Sequence, residues 1–217
     1  MQNFKTYIEE GKNDASIFHA VFMAGGPGSG KSYVNKQLGL RALNYVDINS
    51  DTALEHAMKK SLLDLNMPEG EAYAKDIVRG LAKKTTSKKR GHAVEGRLGI
   101  VIDGTGAKLD KLKRDVEGLQ KLGYEVAMVF VDTDMETALA RNDQRERSLN
   151  PKLVTKMWKD VQKNKGQFKR IFGKQFYIVN NSDGANLSEV SKVFSKLMSW
   201  SKKLPNNPQV KAWMEAQ

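Results

Sequence analysis

Apolar residues in this chain fall into short unbroken runs, separated by longer stretches with helical spacing. Residues 17–24 (IFHAVFMA) form a run without a 3.6-residue period, the mark of a buried strand. Runs at 44–48 (NYVDI), 98–102 (LGIVI), 124–131 (YEVAMVFV) and 176–179 (FYIV) predict four more strands. Between them the period changes. A helix is predicted over 31–38, and another over 52–65, with Leu54, Met58, Leu62 and Leu65 on one side. Pro68 ends it, and 71–82 predicts a further helix. Residues 83–91 (KKTTSKKRG) are so polar and basic that they read as a loop or an exposed helix end. Helices follow at 109–122, closed by Gly123, and at 133–147, where Thr133 to Glu136 has the spacing of a capping box. Pro151 opens a long helix to about residue 170, and Leu187, Val190, Phe194, Leu197 and Met198 mark a last one. Beyond Leu204 the tail is expected to be loosely held. No internal repeat interrupts the alternation.

Strands alternating with helices imply an α/β fold, with a mostly parallel sheet covered on both faces. The 217 residues suffice for one domain with a full core, and 40% hydrophobic with 28% charged residues is ordinary soluble composition. Cysteine is absent, which excludes a disulfide framework and a thiolate metal site and fits a reducing cytoplasm. The first residues, MQNFKTYIEEGKND, lack the apolar stretch of a secretory signal, and the apolar run at 127–131 is far too short to span a bilayer. Lysine and arginine number 36 against 25 acids, a net +11 that suggests an anionic partner without saying whether it is a nucleotide, a nucleic acid or a metabolite.

The charge acquires a focus in AGGPGSGKSY, residues 24–33. Gly25, four residues, then Gly30-Lys31-Ser32 matches G-x-x-x-x-G-K-[ST]. A match arises by chance in roughly one chain of this length in a hundred, and here a predicted strand precedes it and a helix follows. The glycines let successive amides turn inward on phosphate oxygens. Gly25, Gly26, Pro27, Gly28, Ser29, Gly30, Lys31, Ser32 and Tyr33 are therefore the candidate donor-binding residues. Lys31 reaches the β- and γ-phosphates, and Ser32 is a candidate Mg²⁺ ligand.

Three other segments bring chemistry to the same end of the sheet. Asp47 and Asp51 flank the end of the second strand, where ligands of open α/β sheets bind. A carboxylate there can take a proton from an attacking hydroxyl; equally, Ser50 or Asp51 can cap a helix. Asp103 and Asp132 each end an apolar strand. A capping box accounts for Asp132, which leaves Asp103 as the second candidate for the metal side. Arg141 and Arg145 lie four apart on one helical face, so they fit either a solvated helix end or a lid that stabilises charge on a moving phosphoryl group.

Together these segments resemble P-loop kinases that phosphorylate hydroxyl groups, in particular phage polynucleotide 5′-hydroxyl kinases and zeta-toxin kinases. Ile48-Asn49-Ser50-Asp51 is similar to the polynucleotide-kinase segment whose aspartate activates the 5′-hydroxyl, and Asp51 falls on that aspartate. Val101 to Thr105 resembles the strand ending in Asp-x-Thr. Arg141-Asn142-x-x-Arg145, with Pro151, Val154 and Met157, is similar to the lid and its following helix, which implies that Arg145 grips the donor phosphates. Two positions depart from the polynucleotide-kinase pattern. The arginine that holds the acceptor phosphate there is Leu54 here, and the stretch 59–96 is longer, like the extra helices of zeta-type kinases.

The resemblance implies a P-loop NTPase three-layer sandwich: one kinase domain over 1–204, with a helical insertion at 59–96, an arginine lid at 141–151 and a flexible tail at 205–217. It implies an ATP- or GTP-dependent, Mg²⁺-requiring phosphotransferase with Asp51, Lys31, Arg145 and Arg141 as catalytic residues. The first expectation for the acceptor is a polynucleotide 5′-hydroxyl. The alternatives are a nucleotide sugar or other small metabolite, and a nucleotide-dependent binding module without phosphotransfer. Lys152, Lys156, Lys159 and Lys163 repeat along one helical stripe that is either a solvated face or a track for a phosphate backbone. Tyr33, Tyr45 and Tyr73 are the aromatics available to stack on bases, though each suits a core equally. His19, His56 and His92 show no spacing that suggests a metal or a relay.

Overall fold

A computed structural model describes residues 14, 16–61, 72–145, 148–185 and 188–216, and of residues 72, 73 and 75 the backbone alone. Five parallel strands are ordered β2-β3-β1-β4-β5: β1 His19–Ala24, β2 Val46–Ile48, β3 Ile100–Asp103, β4 Glu125–Asp132 and β5 Phe176–Asn180. Every residue of β1 is buried, as a central strand with both faces covered requires. The helices in chain order are α1 Lys31–Leu38, α2 Ser50–Lys60, α3 Ala72–Glu95, α4 Leu109–Lys121, α5 Met135–Asp143, α6 Pro151–Phe172, α7 Ser188–Ser201 and α8 Pro208–Glu215.

Each sheet face has its own core. Val34 and Leu38 of α1 meet Val193 and Leu197 of α7 over Val21, Val101 and Val129. On the other face Val116 of α4 and Val161 and Phe168 of α6 cover Phe22, Met128 and Phe130. A third, small cluster of Leu54, Met58, Val78 and Ala82 joins α2 to α3. No helix among the described residues is long and apolar enough to cross a membrane.

Three expectations change. The basic stretch 83–91 is neither loop nor helix end but the middle of the 24-residue α3. A helix needs only a narrow buried stripe, and Val78, Ala82 and Ala93 supply it while the lysines between them face solvent. The cap of α5 is Asp134, whose carboxylate accepts the Thr137 N–H at 2.7 Å. Thr133 is buried instead, its hydroxyl 3.4 Å from the Ser29 carbonyl. The tail after residue 204 is held: Asn207 caps α8 by accepting from the Val210 N–H and donates to the Gly123 carbonyl, Val210 is buried, and the Trp213 ring meets Phe18 edge-on at 5.4 Å. Leu62, Leu65, Pro68, Arg147 and Leu187 lie outside the described residues, as does the Tyr73 side chain.

Candidate active site

All strand ends that the sequence marks converge on one edge. The register sets Met23 beside Asp103 and Ile48 beside Ile102, so the residues that follow β1 and β2 flank Asp103. The Gly25 N–H donates to the Thr105 carbonyl at 3.1 Å, and the Gly104 N–H to Met23 at 3.2 Å. The glycine loop is thereby stitched to the end of β3.

Two glycines are dictated by fit. Gly28 has φ +77°, and a Cβ there would lie 2.1 Å from the Ala138 carbonyl oxygen of α5. Gly30 has φ +80°, and a Cβ would lie 2.2 Å from the Asn181 amide nitrogen. That amide holds the loop from behind by donating to the Ser29 carbonyl at 2.8 Å. Gly30 caps α1 with no side-chain hydrogen bond, and no acid sits in the first turn. The first N–H groups of α1 therefore remain available, a ready anion site. Trp158 of α6 closes the loop's other flank. Its indole donates to the Thr133 carbonyl at 2.8 Å, and its side chain lies 3.5 Å from where a Gly26 Cβ would be.

Lys31 is half-buried, and its ammonium donates to the carbonyls of Gly25 at 2.9 Å and Gly26 at 3.3 Å. Burial pulls it below the usual lysine range; the Asp103 and Asp51 carboxylates oppose this, and Arg145 adds to it. The four charges predicted from separate segments thus act on one another. Asp103 shows the reciprocal effect: burial pushes its carboxyl up, Lys31 opposes, Asp51 and Asp47 add, and Arg145 opposes. One Asp103 oxygen accepts from the Asn49 amide at 2.7 Å, while the other is buried without a partner among the described residues.

The remaining carboxylates separate cleanly. Asp47 is engaged by Arg41 at 2.5 Å and Asn35 at 3.1 Å. Asp132 accepts from Gln162 at 2.7 Å and Lys165 at 2.6 Å, an anchor for α6. Asp51 is exposed and is not the cap of α2. Asn49 is, accepting from the N–H groups of Asp51 and Thr52 at 2.8 and 3.1 Å. The arginines separate as well. Both arms of Arg141 are spent, on the Asn181 carbonyl and the Asp183 carboxylate, each at 2.6 Å. Arg145 is exposed beyond α5, which ends at Asp143 and not at 147, so the two arginines do not share the helical face that their spacing predicts. Buried Asn142 clasps both backbone groups of Leu149 and so draws together the two ends of the arginine segment.

A cleft of about 780 Å³ opens beside Ser32 and Asp103, between α1, β2, α2 and α3. Arg41, Lys36, Lys89 and His56 line it with Thr85 and Thr86. Leu54 does not reach it as a polar group would, because it is buried in the α2–α3 cluster. Tyr33 is exposed on α1, whereas Tyr45 is core, its hydroxyl 2.5 Å from Ser201. His19 is also core: its Nδ1 lies 2.8 Å from the Ile17 carbonyl, its ring meets Trp200 edge-on, and burial holds it below the usual histidine range. Sequence reasoning missed Asn49, Arg41, Asn181 and Trp158 as parts of the site. Asn49 stood inside a recognised motif, while Asn181 lies 152 positions from its partner and leaves no local signal.

Sheet order, loop and converging charges define a P-loop kinase. The chain belongs to the zeta toxin family, whose profile matches residues 8–171. Among solved structures, the toxin–antitoxin protein described in "Molecular and structural characterization of the PezAT chromosomal toxin-antitoxin system of the human pathogen Streptococcus pneumoniae" aligns with TM-score 0.56 at 16% identity, over 91% of each chain. The AvrRxo1-ORF1:-ORF2 complex with ATP aligns with TM-score 0.57 at 12% identity, over 94% of this chain and 72% of that one. The Pnkp1/Rnl/Hen1 RNA repair complex aligns with TM-score 0.54 at 20% identity; 72% of this chain is covered, but only 48% of that chain, about half its length. At these identities the likeness is one of fold. A search of the curated proteins finds no match to the chain.

Proposed function

We propose that this protein transfers the γ-phosphoryl group of ATP or GTP to a hydroxyl of an anionic, nucleotide-sized acceptor held in the cleft between α1, β2, α2 and α3. The observation that carries this reading is the freedom of Asp51. Asn49 takes over the capping of α2, so the Asp51 carboxylate stands exposed in the first turn of α2, between Asn49 and Thr52, which line the cleft with Ser32 and Asp103. The acceptor oxygen attacks the γ-phosphorus and Asp51 takes its proton. The bond from phosphorus to the β,γ-bridging oxygen breaks, and the nucleoside diphosphate leaves. Lys31 balances charge on the donor phosphates, and Arg145 stabilises what spreads during transfer. Arg141 holds Asn181, and through it the loop.

The site suits Mg²⁺: the Ser32 hydroxyl lies in the first turn of α1, and one Asp103 oxygen, without a hydrogen-bond partner among the described residues, is an acceptor that could hold the ion. When bound, the ion screens the donor's phosphate oxygens.

The cleft volume is of small-ligand size, and its basic rim of Arg41, Lys36 and Lys89 favours an acceptor that carries negative charge, such as a nucleotide sugar. A polynucleotide 5′-hydroxyl is the second reading, favoured by the exposed row of Lys152, Lys156, Lys159 and Lys163, which has no ion pair among the described residues. Leu54 in the core, at the position of the phosphate-holding arginine, weighs against it. Transfer of labelled γ-phosphate decides, with nucleotide sugars, nucleosides and a 5′-hydroxyl oligonucleotide run in parallel. Label on a small anionic acceptor is the expected result. Label on the oligonucleotide alone would move the assignment to the second reading. Label on none, with nucleotide still bound, would overturn phosphotransfer in favour of a binding module.

A further inference from the structure

We infer that Asn49 is a positioning residue whose single amide arranges both carboxylates of the site, Asp51 through its oxygen and Asp103 through its nitrogen. The inference rests on the phosphotransfer reading above. Its basis is the strand register. Ile48 of β2 pairs with Ile102 of β3, so the next residues, Asn49 and Asp103, lie side by side at the sheet edge. The amide nitrogen donates to one Asp103 oxygen at 2.7 Å. The amide oxygen accepts from Asp51 and Thr52 N–H and starts α2.

Capping alone does not call for asparagine. Serine and aspartate cap about as well, but neither offers an amide donor, and an aspartate would set two carboxylates against each other. Asparagine alone of the preferred caps can accept from a helix and donate to a carboxylate with opposite ends of one rigid group. Each end has a consequence. Because Asn49 caps α2, Asp51 has no helix end to satisfy and keeps its carboxylate for another partner. Because Asn49 fixes one oxygen of Asp103, the other is presented in a single orientation, buried and without a partner among the described residues. The backbone of Asp51 and the carboxylate of Asp103 are then held in a constant relation, since the same side chain ties the start of α2 to the end of β3.

The test separates capping from bridging. Asn49→Ser keeps a cap oxygen but replaces the amide N–H₂ with one short hydroxyl on the same atom; Asn49→Asp keeps the cap, has no donor and opposes Asp103; Asn49→Ala removes both. Melting temperature, kcat, and nucleotide affinity with and without Mg²⁺ are measured for each, beside Asp51→Asn. The bridge predicts that Asn49→Ser and Asn49→Asp melt close to wild type but lose about 10- to 100-fold in kcat, the usual effect of losing a group that orients a metal-site carboxylate. It also predicts that the gain in nucleotide affinity on adding Mg²⁺ shrinks, with Mg²⁺-free affinity unchanged. Asn49→Ala should lose melting temperature as well. Wild-type kcat and a wild-type Mg²⁺ gain in Asn49→Ser and Asn49→Asp, with only the melting temperature of Asn49→Ala lowered, would reduce Asn49 to a cap and overturn the inference. Asp51→Asn at the wild-type rate would instead strike the phosphotransfer reading. The Mg²⁺ measurement needs no turnover and tests the bridge in either case.

Discussion

The phosphate loop and the cleft that we propose as the acceptor side are built in opposite ways. The loop of residues 25–32 is gripped from several directions: Ala138 behind Gly28, Asn181 behind Gly30 and Ser29, Trp158 beside Gly26, and the end of β3 beside Gly25. Among the described residues, four buried side chains join α2 to α3, and α3 leaves Ile77 and Leu81 about half exposed. A phosphate group is the same in every donor, and a fixed cradle can be packed to atomic tolerance around it. An acceptor wall resting on a small separate cluster can be rebuilt without disturbing that cradle. Changes on the donor side should therefore abolish function outright, and changes on the acceptor side should alter it selectively.

The largest expected effect is at Gly28. Alanine there meets the Ala138 carbonyl at 2.1 Å in a backbone conformation that disfavours side chains. The loop must shift, and nucleotide affinity should fall by about 100-fold or more, measured by titration. Next is Met58→Ala. Emptying this fully buried position should cost ~2–5 kcal/mol in the α2–α3 cluster. The contrast predicts raised acceptor KM with donor affinity nearly intact; equal loss of both would dissolve the distinction between the two sides. Smaller still, Arg41→Ala should raise acceptor KM about 10-fold with kcat kept, the equivalent of one charge-assisted hydrogen bond of ~1.5 kcal/mol. An uncharged acceptor should not feel the change.

How far the sequence reveals this molecule follows the same division. The glycine loop and α1 are legible to the residue because their signals are local: turn chemistry, then a helix that runs Lys31–Leu38. The strands are legible because a sheet covered on both faces demands unbroken apolar runs. α3 is not, because its basic middle obeys composition rules for loops while a thin stripe of Val78, Ala82 and Ala93 holds it helical. The C-terminal helix carried its signal in Asn207-Pro208, a cap followed by proline at the first turn, but what holds it is contact with Phe18 and Gly123, far away in the chain. Within the site, the charged residues were identifiable one by one. Their braces, Asn181 on the loop and Arg41 on Asp47, are products of tertiary packing.

The smallest predicted effect runs the other way. Burial raises the Asp103 carboxyl, so the folded state binds a proton more tightly there than the unfolded chain does. Whatever stability this lends is present at low pH and is lost as pH rises from the usual carboxylate range through the raised value. Asp103→Asn removes that loss. Without nucleotide or Mg²⁺, it should melt above wild type near neutral pH and show little difference once pH falls below the usual carboxylate range. A variant that gains stability while losing turnover is the expected behaviour of a residue kept for chemistry.

The central claim is that Asp51 removes a proton from an acceptor hydroxyl while the loop holds the donor. Single-turnover transfer of γ-phosphate by Asp51→Asn, with nucleotide affinity measured on the same preparation, tests it most directly. The account predicts a rate lower by about 10²- to 10⁴-fold at unchanged affinity. Transfer at the wild-type rate would contradict it.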